Sequence, residues 1–161
     1  MSRYYRLGED FNVYPSSLEE WAFGDRPTKP IQQEDVFGTW VSTIFLGLDH
    51  GFNWYPDVVT VYRPVLFETC LFGGLDYSDV VRRYECYDDA IKGHREVVDE
   101  VIEQSRELVR LGSVRRAKRH FNNECSTNAL RQWYAKHYRR MVKAFREDNV
   151  YQGVMPCAHP C

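Results

Sequence analysis

The sequence has no long apolar run. Its mean hydropathy is −0.54, and no stretch approaches the roughly 20 apolar residues that a membrane-spanning helix requires. The residues from Met1 to Tyr5 also lack the apolar segment of a secretory signal peptide. We therefore expect a soluble, cytoplasmic protein that has no membrane partner.

The sequence also lacks the short motifs that identify common catalytic sites. It contains no Gly-rich phosphate-binding loop, no dinucleotide-binding fingerprint and no nucleophile elbow. Its five cysteines are an odd number, which without an export signal favours free thiols over a disulfide framework. Cys70 and Cys86 fall in predicted strands, where burial would make both thiols inert. Binding is therefore favoured over catalysis, and enzymatic activity stays open.

Acidic residues are scarce in one part of the chain. Residues 106–146 hold 12 Lys and Arg residues but only Glu107 and Glu124, whereas residues 1–105 hold 19 acidic and 9 basic residues. The formal net charge of −2 therefore conceals a strongly basic segment. Such a segment can attract a phosphate-bearing or acidic partner.

The first half of the chain predicts one short helix and then a small sheet. Up to residue 37 only a helix at Leu18–Ala22 fits, capped by Ser16 or Ser17 and ended by Gly24. β-forming residues then predict strands at 39–46, 65–72 and 80–86, and 58–62 could extend the sheet. These strands predict an antiparallel meander.

Helices are predicted in the second half of the chain. Asp88 or Asp89 is expected to cap a helix that runs to about Leu111, because apolar residues recur there with the helical period. Gly112 is the predicted C-cap. Two basic helices follow, at about 114–121 and 128–147.

These predictions together indicate an α+β fold with three parts. A core at 1–112 combines a meander of about three strands with a long covering helix. A basic helical extension at 113–148 packs on this core, and a tail at 149–161 contains Cys and His residues.

The basic extension is the stronger candidate for a binding site. Arginine and lysine suit phosphate groups, and the interleaved aromatic residues could stack on bases or insert into a protein pocket. The alternative is that these cations pair with the acidic front half of the same chain. The candidate residues are Arg115, Arg116, Lys118, Arg119, Arg131, Trp133, Tyr134, Lys136, Arg139, Arg140 and Lys143.

A second candidate site would be catalytic. If Asp49, His50, Glu68 and His94 converged, two imidazoles and two carboxylates could hold a divalent metal or act as general acid and base. The alternative gives each residue a structural role. Asp49 would then cap a strand end, Glu68 would face solvent or pair with an arginine, and His94 would be a hydrogen-bonded core residue. No spacing among them matches a specific metal motif.

The tail offers a third, weaker candidate. Cys157, His159 and Cys161 carry the ligand types of a zinc site. Their spacing of two is tight for chelation by successive side chains, and a fourth ligand such as Cys125 would have to come from elsewhere. The prediction is therefore no cofactor, with a divalent metal as the open alternative.

Several segments resemble a family of small proteins encoded by tailed phages and prophages. The resemblance rests on Val41 to His50 (VSTIFLGLDH), Pro64 to Gly74 (PVLFETCLFGG), Arg83 to Glu85 and Ala90 to His94. It covers roughly residues 4–98, and the chain departs from the pattern in its longer loop after His50. The family has no assigned activity, and the basic half lies outside the match. The resemblance implies phage origin and action in the host cytoplasm.

Three function hypotheses follow. The first is an accessory protein that binds a host macromolecule, either a nucleic-acid complex or a defence component, through the basic aromatic helices. The second is a small metal-assisted hydrolase or nuclease. The third is a structural or assembly protein of the virion. The sequence leaves the oligomeric state open.

Overall fold

The computed structural model describes residues 3–24, 28–51, 63–73, 79–120 and 127–146. Within these ranges the chain forms six strands and four helices, which confirms the predicted α+β fold class. The strands are β1 (Tyr4–Leu7), β2 (Val13–Ser16), β3 (Lys29–Val36), β4 (Thr39–Phe45), β5 (Phe67–Gly73) and β6 (Asp79–Tyr84), and the helices are α1 (Leu18–Phe23), α2 (Tyr87–Leu111), α3 (Val114–His120) and α4 (Thr127–Arg146).

Strands β3 to β6 form one antiparallel sheet in chain order. Three of them, β4, β5 and β6, lie where the sequence predicts strands. In the central pair, Thr43 lies opposite Thr69. Because side chains alternate along a strand, Val41, Thr43 and Phe45 point to the face that α2 covers. The possible extension at 58–62 lies outside the described residues.

The edge strand β3 corrects the prediction that only a short helix forms before residue 38. It pairs with β4 from Lys29 opposite Phe45 to Val36 opposite Thr39, with an irregularity after Pro30. Val36 is its one buried residue. Such a polar strand lacks the apolar alternation on which strand prediction depends. The hairpin of β1 and β2 was missed because each strand has four residues and β2 contains Pro15.

The short helix α1 confirms its predicted cap. The Ser17 hydroxyl accepts a hydrogen bond from the Glu20 backbone N–H at 3.0 Å, and the Glu20 carboxylate accepts one from the Ser17 N–H at 3.1 Å. This reciprocal pair satisfies two backbone donors that a helix start otherwise leaves open. The helix ends before Gly24, as predicted.

The long helix α2 begins at Tyr87, slightly earlier than predicted. Its N-cap residue is Cys86, whose side chain makes no capping bond, so the prediction of Asp88 or Asp89 as the cap is wrong. Both carboxylates lie in the first turn, where they complement the helix dipole. Cys86 also lies outside β6 and is exposed, which contradicts the expected burial, whereas Cys70 is buried. Gly112 is the C-cap with φ of 63°, as predicted.

The core beneath α2 is divided into two apolar clusters. One joins Val36, Phe37 and Val41 to the middle and end of α2, and the other joins Phe45, Leu66 and Phe67 to Ala90 at its start. Residue 43 of β4 and residue 94 of α2 lie between the clusters, and both are polar. The sequence therefore places a polar layer across the middle of the core.

Helices α3 and α4 contribute to the first of these clusters. Ala117 of α3 and Met141 of α4 are fully buried in it. The rings of Phe37 and Phe145 lie 5.4 Å apart, between the β3–β4 turn and α4. The basic helices thus pack on the α+β core. No helix in the described ranges is both long and apolar enough to cross a membrane.

Candidate functional sites

A continuous row of polar side chains crosses the sheet under α2. Tyr84 Oη lies 3.0 Å from Thr69 Oγ1, which lies 2.6 Å from Thr43 Oγ1, and Thr43 Oγ1 lies 2.8 Å from His94 Nδ1. At the other end, His94 Nε2 lies 3.4 Å from Glu34 Oε1. The row therefore contains one residue from each strand, β3 to β6, and one histidine from α2. We call Glu34, His94, Thr43, Thr69 and Tyr84 the polar row.

The hydrogen bonds of the polar row have one consistent direction. A carboxylate can only accept, so the proton of the neutral His94 ring is assigned to Nε2, which faces Glu34. Nδ1 then accepts from the Thr43 hydroxyl. Each remaining hydroxyl donates to the next residue along the row, ending with Tyr84 as donor to Thr69.

His94 is completely buried, and its Nε2 makes no hydrogen bond with good geometry. The 3.4 Å separation from Glu34 gives an electrostatic attraction only. Burial lowers the pKa of His94, and the attraction of Glu34 opposes this shift. The Glu34 carboxylate also accepts a hydrogen bond from the Gln32 side chain at 2.9 Å. The ring is therefore neutral at neutral pH.

Gly93 allows α2 to approach the far end of the polar row. A Cβ atom at this position would lie 2.2 Å from Cε1 and 2.3 Å from Oη of Tyr84. Beside Tyr84, Arg82 forms ion pairs with Glu96 and Glu100 of α2. Burial raises the pKa of Tyr84. Helix α2 is thus attached to β6 by ion pairs and to β4 by the polar row.

The polar row resembles a relay of acid, imidazole and hydroxyl, but its centre is closed to substrate. Thr43, Thr69 and His94 are each 0% exposed, and a nucleophile must touch the atom that it attacks. Burying polar groups costs free energy unless their hydrogen bonds are made, and the hydroxyls of the row and His94 Nδ1 all make theirs. The geometry therefore supports a structural role, which fixes the register of α2 on the sheet.

The structure does not gather the four candidate catalytic residues, all of which it describes, into one cluster. Glu68 precedes Thr69 on β5 and so lies on the opposite sheet face from His94. Its carboxylate lies 3.6 Å from Arg83 Nε. Asp49 accepts hydrogen bonds from Gly51 and Val65 backbone N–H groups at 2.8 and 3.0 Å. The backbone N–H of His50 donates to the Val65 carbonyl. These contacts match the structural alternatives for Asp49, Glu68 and His94.

The described residues contain no group of three or more His, Cys, Asp or Glu side chains that could hold a metal ion. The tail candidates Cys157, His159 and Cys161, together with Cys125, lie outside the described residues. A zinc site formed by these residues stays a prediction.

The basic helices present their cations outward. Those with described side chains are all exposed, namely Arg115, Arg116, Arg119, Arg131, Lys136, Arg139, Arg140 and Lys143. We call these eight residues the basic surface. The side chains of Lys118 and Trp133 lie outside the described part of the chain.

Most of the basic surface is not neutralised from within the described structure. Arg140 approaches Asp35 at 3.9 Å, and Arg116 donates to the Leu111 carbonyl at 3.5 Å. The other six side chains form no ion pair within 4.0 Å of a carboxylate in the described ranges. Intramolecular pairing, the alternative raised by the sequence, therefore accounts for Arg140 among the eight residues of the basic surface.

Tyr134 is positioned toward the core. Its hydroxyl donates to the Leu108 carbonyl at 2.7 Å, and its ring lies 5.4 Å from the ring of Tyr138. Burial raises the pKa of Tyr134 to about 12. The predicted binding residue Tyr134 thus joins α4 to the end of α2, where its hydroxyl adds a second hydrogen bond to a carbonyl that already accepts one from the Gly112 backbone N–H at 3.1 Å.

A second contact fixes α4 against the β3–β4 turn. The Arg140 guanidinium lies 6.0 Å from the centroid of the Phe37 ring. The His137 ring occupies the space beside Gly38, where a Cβ atom would lie 2.2 Å from His137 Cε1. Burial lowers the pKa of His137. Arg140 is therefore partly a structural residue.

Sequence reasoning found His94 but missed its partners. Thr43 and Thr69 each interrupt an otherwise apolar inward face, and this interruption is a usable signal. Glu34 could not be found in the same way, because its strand was not predicted.

Comparison with family models, with curated proteins and with solved structures finds no match to this chain. The resemblance to phage proteins therefore stays a prediction.

Proposed function

We propose that this chain is a phage accessory protein that binds a nucleic acid, or a complex containing one, in the host cell. The observation that carries the proposal is the basic surface: exposed cations on two helices, seven of the eight without an ion pair in the described structure. Phosphate groups are the partner that such a surface attracts most strongly, because each cation that meets a phosphate releases a counterion.

The distribution of charge supports this proposal. Helix α4 contains no acidic residue between 127 and 146, so no carboxylate of α4 itself repels an approaching phosphate. The carboxylates Glu103 and Glu107 on the last part of α2 are paired with Arg106 and Arg110. The field around α4 is therefore positive although the whole chain is nearly neutral.

The metal-assisted hydrolase gains no support from the described geometry. Glu68 and His94 lie on opposite faces of the sheet, and the contacts of Asp49 and Glu68 are those of structural residues. Binding is therefore the proposed function, and hydrolysis would have to be tested separately.

Charge substitution on α4 tests the proposal. The variant combines Arg139→Gln with Lys143→Gln, because neither side chain has an internal partner in the described structure. Lys92→Gln with Arg95→Gln on α2 is the matched control, since it removes the same two charges from another exposed helix face. Fluorescence anisotropy with labelled DNA and RNA measures the affinity.

We expect the α4 variant to bind about tenfold more weakly or worse, and the α2 control to bind as the parent does. Equal weakening in both variants would indicate a general charge effect and contradict the proposed surface. A pull-down with and without nuclease adds a second arm. A stoichiometric protein that is retained after nuclease treatment, without nucleic-acid binding by the pure chain, would replace nucleic acid by a host protein as the partner.

A further inference from the structure

We infer that the basic surface binds double-stranded nucleic acid along its phosphate backbone and does not stack on bases. This inference rests on the proposed function and names the form of nucleic acid. It depends on how α4 divides its side chains between the core and the surface.

The cations of α4 form one stripe along the helix. At 100° per residue, Arg131, Arg139 and Lys143 fall within one third of the helix circumference, and Lys136 lies beside them. Arg131 and Lys143 are twelve residues apart, which corresponds to about 18 Å along the axis. A rigid helix thus holds these four cations on one side, within an arc of about 140°. The same length of DNA duplex carries about ten phosphates.

The aromatic side chains described in α4 face the other way. Tyr134 donates its hydroxyl to Leu108, and Phe145 packs on Phe37 and under the Arg106 guanidinium. Tyr138 is half-buried beside Tyr134. Proteins that bind single strands without sequence preference present exposed aromatic rings on which successive bases stack. The described rings of α4 are engaged in packing, so the exposed chemistry is cationic.

The described side chains of α4 present exposed cations and no exposed aromatic ring, a combination that suits a duplex. The bases of a duplex are already stacked on one another, and its phosphates form a regular, rigid array. Binding through phosphates alone carries no sequence information. We therefore expect weak sequence preference and strong dependence on salt.

Competition between duplex and single strand tests the inference. The full chain is titrated into a labelled DNA duplex of about 20 base pairs, and unlabelled duplex or single strand of the same sequence competes, across a series of salt concentrations. We expect the duplex to compete at least about fivefold better per nucleotide and the logarithm of affinity to fall linearly with the logarithm of salt. A second duplex of unrelated sequence should compete equally.

The slope of the logarithm of affinity against the logarithm of salt tests whether the cations of α4 make the phosphate contacts. Arg139→Gln with Lys143→Gln should reduce the magnitude of the slope by about 1.8, since each phosphate contact contributes about 0.9. The α2 control, Lys92→Gln with Arg95→Gln, should leave it unchanged. Tighter binding to single strand would overturn the inference while the proposed function stands. A slope that the α4 variant does not change would overturn the inference and also the assignment of binding to the basic surface. Absence of binding to either form would overturn both.

Discussion

Thr43 is a polar residue in the interior, and its hydroxyl connects the sheet to His94. It lies 2.6 Å from Thr69 Oγ1 and 2.8 Å from His94 Nδ1. Thr43→Val keeps the branched shape but removes this partner from both neighbours. Because leaving buried polar groups unsatisfied costs about 1–3 kcal/mol, we expect the free energy of unfolding in urea to fall by that amount.

Thr39→Val on the same strand is the matched control. Thr39 is half-buried and lies outside the polar row, so the same substitution should change the free energy of unfolding by less than about 0.5 kcal/mol. Equal effects of the two variants would show that the hydrogen bonds of the polar row contribute nothing to stability.

His94 makes stability depend on pH. Its pKa in the folded protein is lowered from 6.5, mainly by burial, so the unfolded chain binds the proton more tightly. Stability is therefore complete above about pH 6.5 and is lost as the pH falls through the lowered pKa. The charged groups that act on the ring are Glu34 of β3, which raises its pKa, and Arg95 of α2, which lowers it.

As the pH falls from about 6.5 through the lowered pKa of His94, we expect the unfolding equilibrium constant to rise by up to about tenfold per pH unit for one proton. Urea titrations between pH 8 and 5 measure it. His94→Gln should flatten this dependence, and His50→Gln serves as the control. Burial also lowers the pKa of His137, so this residue adds to the loss of stability at low pH. His137→Gln should remove that separate contribution to the pH dependence. A His94→Gln variant with the full pH dependence of the parent would contradict the assignment to His94.

Among the elements, α4 is joined to α2 by the side-chain hydrogen bond from Tyr134 to the Leu108 carbonyl. Tyr134→Phe removes this bond and leaves the ring in place. We expect a loss of about 1 kcal/mol in the free energy of unfolding. The Tyr134→Phe variant should also lose the tyrosine titration with a pKa of about 12, which ultraviolet absorbance measures. Tyr138→Phe is the control, and loss of the same titration in that variant would show that the wrong tyrosine was assigned.

Apart from α1, which has no buried residue and was predicted from its capping serine, the elements that the sequence predicted are those whose residues pack on the core. Strands β4 and β5 and helix α2 alternate or repeat apolar residues with the period of their structure, and their positions could be read from that pattern. Strand β3 is held by backbone pairing with β4 and by polar contacts such as Gln33 to Ser42 at 3.0 Å. These interactions depend on a neighbouring strand, so no local pattern in β3 reveals them.

At the scale of the whole molecule, the basic segment could be predicted because charge is a property of composition. Its exposure could not, since pairing with the acidic front half was equally compatible with the sequence. The polar row is the opposite case. Its members come from five elements and are separated by up to 60 residues in the chain, from Glu34 to His94, so their meeting depends on register, which a single sequence does not specify.

The basic helices also complete the core, and this leads to a prediction about the whole chain. Ala117 and Met141 are 0% exposed in the same cluster as Val36, Phe37 and Leu108. Burying a side chain such as Met contributes about 1.5–3 kcal/mol, and a domain has only about 5–15 kcal/mol of stability. A chain that ends at Gly112 should therefore melt at a lower temperature by circular dichroism and self-associate on size-exclusion chromatography, because Phe37 and Leu108 lose their cover. A chain that ends at Arg146 keeps all the described helices and is the control. If the chain ending at Gly112 melted as the control does, α3 and α4 would be a separate appendage and not part of the core.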